Sequence, residues 1–141
     1  MRVWLYDILH NAPALQGYYN NLPLVNLDVF PRESLHDTVQ RKPFIVYGLG
    51  NDTNEQLSED KNHKAHRQFF QIWIHDDGGD YTRIDDLVEI VVNLLQGQAA
   101  PSYDITNVHW LETRQEFSDQ TFNTLFRYIR FQAIISKGAL T

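Results

Sequence analysis

Apolar residues recur along the chain with two different periods, which predicts a mixture of helices and strands. Over residues 2–10 the spacing is that of a short amphipathic helix. Its apolar side is formed by Val3 or Trp4, Leu5, Ile8 and Leu9.

A second helix is the most fully specified element of the chain. Thr82 is the expected N-cap, and Asp85 follows three residues later as in a capping box. Gly97 lies just beyond the expected end, where a left-handed residue commonly terminates a helix. One apolar stripe is formed by Ile84, Leu87, Val88, Val91, Val92 and Leu95.

Five further stretches have the alternation or the β-branched and aromatic content of strands. They cover residues 25–29, 44–47, 68–75, 105–112 and 124–136, and Pro31 closes the first of them. In the last stretch one face carries Leu125, Ile129, Phe131, Ala133 and Ile135, in a row interrupted by Arg127. The other face carries Phe126, Tyr128, Arg130 and Gln132.

Polar segments separate these elements. Residues 50–64 form the longest expected loop, 76–80 a glycine-rich turn, and 113–123 a long polar turn that contains Phe117 and Phe122. The order of elements predicts an α+β fold: an antiparallel sheet of about four to five strands, with an N-terminal helix and one central helix packed on one face. Residues 1–141 are expected to form a single domain.

Composition narrows the function classes. The 12 Lys+Arg and 18 Asp+Glu give a net charge of -6, which argues against a protein that grips nucleic-acid phosphates. The absence of cysteine excludes disulfides, thiolate metal sites and cysteine nucleophiles. No apolar run approaches the roughly 20 residues of a membrane span, and Asp7 is atypical of a signal peptide. We therefore expect a cytosolic protein that does not enter membranes.

One group of residues raises the possibility of a metal site. His63, His66 and His75 lie near Asp76 in sequence, and a small metal-binding protein or metal-dependent hydrolase would use them as ligands. The alternative interpretation is that these are solvated loop histidines. We favour it because the spacing in sequence does not by itself place three ligands around one metal ion. Residues 76–80 resemble half of a calcium loop but lack its alternating acids and distal glutamate.

Catalytic signatures are absent from the sequence. It contains no nucleophile elbow, no P-loop and no dinucleotide fingerprint, and Gly48 and Gly50 precede a polar loop rather than a helix. The paired carboxylates, such as Asp85 and Asp86, lie on an expected wet helix side rather than in an apolar pocket. We therefore expect a protein that is not an enzyme and needs no cofactor or metal.

The second face of the last strand suggests a protein interface. Phe126, Tyr128 and Arg130 are the residue types enriched at protein–protein contacts. Two alternatives stay open at this point: helices could cover both faces of the sheet, or Arg127 and Arg130 could simply pair with local carboxylates.

Four segments, together with the polar loop before the third, the capped helix and the long hairpin that leads to the fourth, resemble the tail terminator (tail completion) proteins of long-tailed bacteriophages, over roughly residues 25–136. The four segments are Val29–Pro31, Arg41–Gly48, Phe69–Asp76 and Arg127–Gln132. The segments 11–24 and 51–67 have no counterpart in the resemblance. It implies a small antiparallel sheet with flanking helices, in a subunit of a hexameric ring that ends the tail tube and meets the head.

The resemblance implies a virion protein of the head-proximal tail end, made in the host cytoplasm. Its partners would be further copies of itself, the tail tube protein and a head-completion or connector protein, and an acidic bore would let DNA pass without binding it. Besides the second-face residues, we expect the hairpin tip to contact the tube or a neighbouring subunit: Phe117, Ser118, Asp119, Gln120 and Thr121. A neck or head-closure component remains an alternative.

Overall fold

Over the residues that it describes, a computed structural model shows one mixed sheet and two α-helices. The structure describes residues 1–19, 24–32, 41–55, 64–77, 81–114, 117–119 and 124–137. The helices are α1 (Arg2–His10) and α2 (Thr82–Leu95). The strands are β1 (Asp28–Pro31), β2 (Phe44–Glu55), β3 (Lys64–Asp77), β4 (Ile105–Thr113), β5 (Phe117–Asp119) and β6 (Thr124–Lys137). The predicted α+β class is confirmed.

The sheet has the strand order β1-β2-β3-β6-β4, and β5 pairs with β6 beside β4. All pairs are antiparallel except β1 with β2, which is parallel. The expectation of a wholly antiparallel sheet is therefore wrong at this edge. A parallel pair needs a connection of about a dozen residues or more, and residues 32–43 supply it.

Both helices pack on one side of the sheet, which we call the first face. Most of its side chains are aliphatic or aromatic and buried, and Phe70 of β3 stacks on Phe131 of β6 with centroids 5.1 Å apart. The predicted stripe of α2 is buried except for Val92, which is half-buried. In α1 the core residue is Trp4, because Val3 is 61% exposed.

Strand pairing extends further than the alternation of side chains suggested. Residues 50–55 and 64–67, expected to be loop or polar flank, pair as a continuation of the β2–β3 hairpin, with Glu55 opposite Ala65. Backbone hydrogen bonds do not depend on side-chain polarity. Two polar strands can therefore pair even though their sequences show no alternation of apolar and polar residues. Residues 56–63 of the predicted loop lie outside the described residues.

The ends of α2 differ in how well they follow the prediction. Gly97 adopts a positive φ of 78° just past the helix, as expected. The helix begins at Thr82, however, with Tyr81 in the N-cap position and no side-chain cap, so Thr82 is not the cap. An ion pair anchors this end instead, because Arg83 binds both carboxylate oxygens of the buried Asp76 at the end of β3.

Arg127, which interrupts the apolar row of β6, also serves this helix. Its guanidinium donates to Asp85 of α2 at 2.8 Å and to the carbonyl of Arg114 at 3.2 Å. The expected alternative of a local carboxylate partner is therefore correct for Arg127. Neither helix meets the length and apolarity that a membrane span requires, over the part of the chain described here.

Candidate functional site: an arginine–aromatic groove

The side of the sheet opposite the helices, which we call the second face, has a different composition. Here β3 presents Phe69, Gln71, Trp73 and His75, and β6 presents Phe126, Tyr128, Arg130 and Gln132. Within the described ranges, neither helix packs on this face. Aromatic rings and guanidinium groups of neighbouring strands cover one another instead.

A row of stacked rings crosses the second face. His75 is 4% exposed and lies between Phe44 of β2 and Phe126 of β6, at centroid distances of 4.7 and 4.9 Å. Phe117 of β5 continues the row, 5.3 Å from Phe126 and 6.0 Å from Tyr128. Phe44 and His75 are buried, so only the Phe126 and Phe117 end of the row offers accessible aromatic surface.

Beside this row lies a groove of about 390 Å³, which we call the arginine–aromatic groove. It is lined by Arg32, Gln71, Trp73, Arg114, Tyr128 and Arg130. The lining comes from β3 and β6 in the middle of the sheet and from residues that directly follow β1 and β4. The fold therefore brings together side chains that are almost 100 residues apart in sequence.

Each arginine of the groove lies over an aromatic ring. The guanidinium carbon of Arg32 is 4.9 Å from the centroid of Trp73, and that of Arg114 is 5.7 Å from Tyr128. Arg130 lies 5.8 Å from the ring of Phe69. These distances are within the range of a cation–π contact. The contacts hold flexible side chains in place, so that their N–H groups are pre-positioned.

Glu112 joins two of these arginines. Its Oε1 accepts hydrogen bonds from Arg130 and from Arg114, each at 3.1 Å. The bond from Arg130, followed by the charges of both arginines, lowers the pKa of the Glu112 carboxyl below its usual value, although burial opposes this. Glu112 is therefore anionic at neutral pH, and it neutralises part of the positive charge.

The missing side chain of Gly48 allows the groove to form against β2. A Cβ atom at this position would come within 3.3 Å of Cζ3 of Trp73 and 3.4 Å of Cβ of Arg32. The contact with Trp73 is closer than most Cβ contacts and the contact with Arg32 is at the limit of an ordinary one, so a side chain here would push the ring of Trp73 by a few tenths of an ångström. Gly48 is thus a determinant of the groove as well as part of a strand.

The groove is suited to binding a carboxylate. Among the residues that the structure describes, three arginines and one glutamate lie at the groove, which gives it an excess of positive charge on a chain whose net charge is -6. Guanidinium groups present several N–H donors in a plane and pair with carboxylates in a fixed geometry. The rings of Trp73 and Tyr128 add apolar contact area beside these donors.

The predicted interface residues divide into three groups. Phe126, Tyr128 and Arg130 share the second face as expected, and Phe117 joins them through ring stacking. The hairpin tip predicted at residues 117–121 is partly wrong, because Phe117 to Asp119 form strand β5 and pair with β6 through their backbones, Ser118 opposite Leu125. Gln120 and Thr121 lie outside the described residues.

Arg130 also bears out one of the alternative interpretations, since it pairs with Glu112. The pair does not remove Arg130 from the surface, because the side chains of Arg130 and Glu112 remain 35% and 37% exposed. Exposed pairs of this kind contribute little to stability. Arg130 is therefore held in position and still accessible to a ligand.

Of the histidines proposed as metal ligands, His66 and His75 do not converge. His66 and His75 lie on opposite faces of β3, nine residues apart, which corresponds to roughly 30 Å along a strand. His75 stacks between two rings and bonds to Thr124 at 2.8 Å, while Asp76 is bound by Arg83. In the ranges that the structure describes, no three potential ligands cluster, and His63 lies outside them.

The sequence pattern does not single out five of the residues at the groove: Arg32, Gln71, Trp73, Arg114 and Glu112. A usable signal existed in β3, where Gln71 and Trp73 alternate with buried residues and must share a face with Tyr128 once the strands pair. Arg32 and Arg114 carried no such signal, since each directly follows a strand, in a segment expected to be polar connector.

The chain matches no protein-family model and no curated protein.

Proposed function

We propose that this protein is a non-enzymatic assembly subunit of a long-tailed phage, similar to tail terminators. In this role it closes into a ring at the head-proximal end of the tail tube, stops tube growth and offers a surface to the head. The observation that carries the proposal is the second face, where no described helix packs and where partly exposed rings and arginines lie side by side.

Three features support an assembly role over a catalytic one. Aromatic and arginine side chains dominate the energetics of many protein interfaces. The rings of Phe117, Phe126 and Tyr128 are stacked together and only half-buried or exposed, so little ordering is needed when a partner binds. The resemblance to tail terminators extends over strands β1, β2, β3 and β6 and thus includes most of this face.

The test is an assembly reaction with the cognate tail tube protein, followed by negative-stain electron microscopy. Adding the wild-type protein is expected to cap one end of each tube and to halt elongation. The variant F126A/Y128A should fail to do so, because it removes the centre of the aromatic surface. Thr106→Ala, at an exposed position of β4, should behave as the wild type.

Two outcomes would overturn the proposal. The first is unrestricted tube growth with no bound protein at either end. The second is binding only to tubes that already carry a terminator, which would assign the protein to the neck or to head closure instead.

A further inference from the structure

The exposed side of α2 carries negative charge that is not neutralised within the described residues. Asp86 and Glu89 are both exposed and lie three positions apart, on one side of the helix. Asp85 is also exposed, but it already pairs with Arg127. No ion pair joins Asp86 or Glu89 to any residue in the described ranges. We call Asp86 and Glu89 the acidic flank of α2.

The arginine–aromatic groove has the opposite charge and lies on the opposite side of the sheet. Arg114 is 50% exposed and Arg130 is 35% exposed, and both share the single carboxylate of Glu112. Since α2 packs on the first face and the groove opens on the second, the sheet separates the two patches. They cannot neutralise each other within one molecule.

We propose that the groove of one copy binds the acidic flank of α2 from a second copy, with Arg114 and Arg130 donating to the carboxylates of Glu89 and Asp86. This inference rests on the proposed ring-forming function and assigns residues to its subunit contact. Because the two patches differ, the contact is heterologous, and each copy keeps one patch of each kind for a further neighbour. Repetition of the contact produces a closed ring when the rotation per subunit permits closure.

Charge complementarity favours a second copy over nucleic acid as the occupant. DNA binding requires basic side chains spaced along several phosphates, whereas the groove is one compact site on an acidic chain. The acidic flank is present in the same molecule at a ratio of one to one. It also lies on a regular helix of 14 residues, so its two carboxylates keep a fixed spacing.

Charge reversal on either side tests the inference. The variant R114E/R130E makes the groove acidic, and the variant D86R/E89R makes the flank basic. Arg is a good helix former, and both positions on α2 are exposed, so the second variant should keep its fold. Circular dichroism and thermal unfolding verify folding before association is measured by light scattering and sedimentation at low and high salt.

Each variant alone should associate on the order of 100-fold more weakly than the wild type, because like charges then face each other. An equimolar mixture should recover association, since every groove then meets a flank of opposite charge, and an even-numbered ring can close with alternating copies. Glu89→Arg should weaken association, while Asp7→Arg should not, because Asp7 is an exposed acid of α1 that belongs to neither patch.

Several results would overturn this assignment. A mixture that stays monomeric while the wild type associates would place the contact elsewhere, and tube capping could still occur. A wild type that stays monomeric at high concentration and low salt would also contradict the contact. A duplex DNA probe retarded by the wild type but not by R114E/R130E would assign the groove to nucleic acid.

Discussion

The two faces of this sheet are built from the same strands, yet they differ in the burial of their side chains and in what packs on them. On the first face, side chains such as Phe70, Ile72 and Phe131 are fully buried beneath helices and are packed by the hydrophobic effect. On the second face, His75 and Phe44 are buried, but the rings and guanidinium groups around the groove lie against one another and stay partly accessible. The first face stabilises the fold, and we propose that the second recognises other protein molecules.

The largest expected difference concerns stability. Phe131→Ala should lower the free energy of unfolding by about 3–5 kcal/mol, because it leaves a cavity beside Phe70 in the core. Tyr128→Ala, three residues earlier on the opposite face of β6, should cost about 1 kcal/mol from lost ring contacts. Urea unfolding of both variants measures this, and similar losses for the two would contradict the distinction between the faces.

Breaking an ion pair should also cost more stability on the first face than on the second. Arg83→Leu leaves the Asp76 carboxylate, only 4% exposed, without its main partner and should destabilise the protein by about 2 kcal/mol. The cost is below that of a fully buried pair because Arg83 itself is 40% exposed. Arg130→Leu breaks the exposed pair with Glu112 and should change stability by less than about 1 kcal/mol. An equal effect of the two substitutions would be inconsistent with the observed burial.

Tyr19, in the core of the first face, provides a pH test. Its hydroxyl accepts from the Asp28 amide at 2.8 Å and donates to the Pro43 carbonyl at 3.1 Å. Burial is the main cause that raises the pKa of Tyr19 to about 12. The folded-state value lies above the unfolded value near 10, so this contribution to stability is present below pH 10 and is lost as the pH rises from 10 to 12.

Tyr19→Phe removes both hydrogen bonds and should cost about 1 kcal/mol at neutral pH. Its free energy of unfolding should also decline less steeply than that of the wild type between pH 10 and pH 12. Identical pH dependence in the two proteins would show that the Tyr19 hydroxyl does not titrate as the geometry requires.

The smallest expected effect lies within the groove. In a double-mutant cycle, Arg32→Ala and Trp73→Phe should be coupled by about 0.5 kcal/mol, as expected for a cation–π contact at an exposed site. Thermal unfolding of the two single variants and the double variant measures the coupling. Purely additive effects would show that the arginine is not held over the ring in solution.

The first face could be predicted from the sequence in most respects. Periodicity located the apolar stripe of α2 and the buried positions of β6, because burial on one face dictates spacing. The alternation of β6 also placed Phe126, Tyr128 and Arg130 together on the other face. The alternation could not show which side chains of other strands each of these residues contacts.

The groove depends on long-range pairing, which local patterns do not encode. Arg114 reaches Tyr128 because β4 pairs with β6, and Arg32 reaches Trp73 because β1 runs parallel to β2. Residues 113–123 were expected to be a turn, although β5 lies within them and contributes Phe117 to the ring row. Short strands with few apolar residues carry too weak an alternation to be recognised.

The central claim is that the second face contacts other protein molecules. The most direct measurement places the photoreactive amino acid p-benzoylphenylalanine at Tyr128 or, as a matched control, at Tyr103, which is 39% exposed on a turn before β4. After irradiation of concentrated protein, mass spectrometry should find intermolecular cross-links from position 128, in α2 of a second copy, and few from position 103. Equal cross-linking from both positions, or none from position 128, would contradict the account.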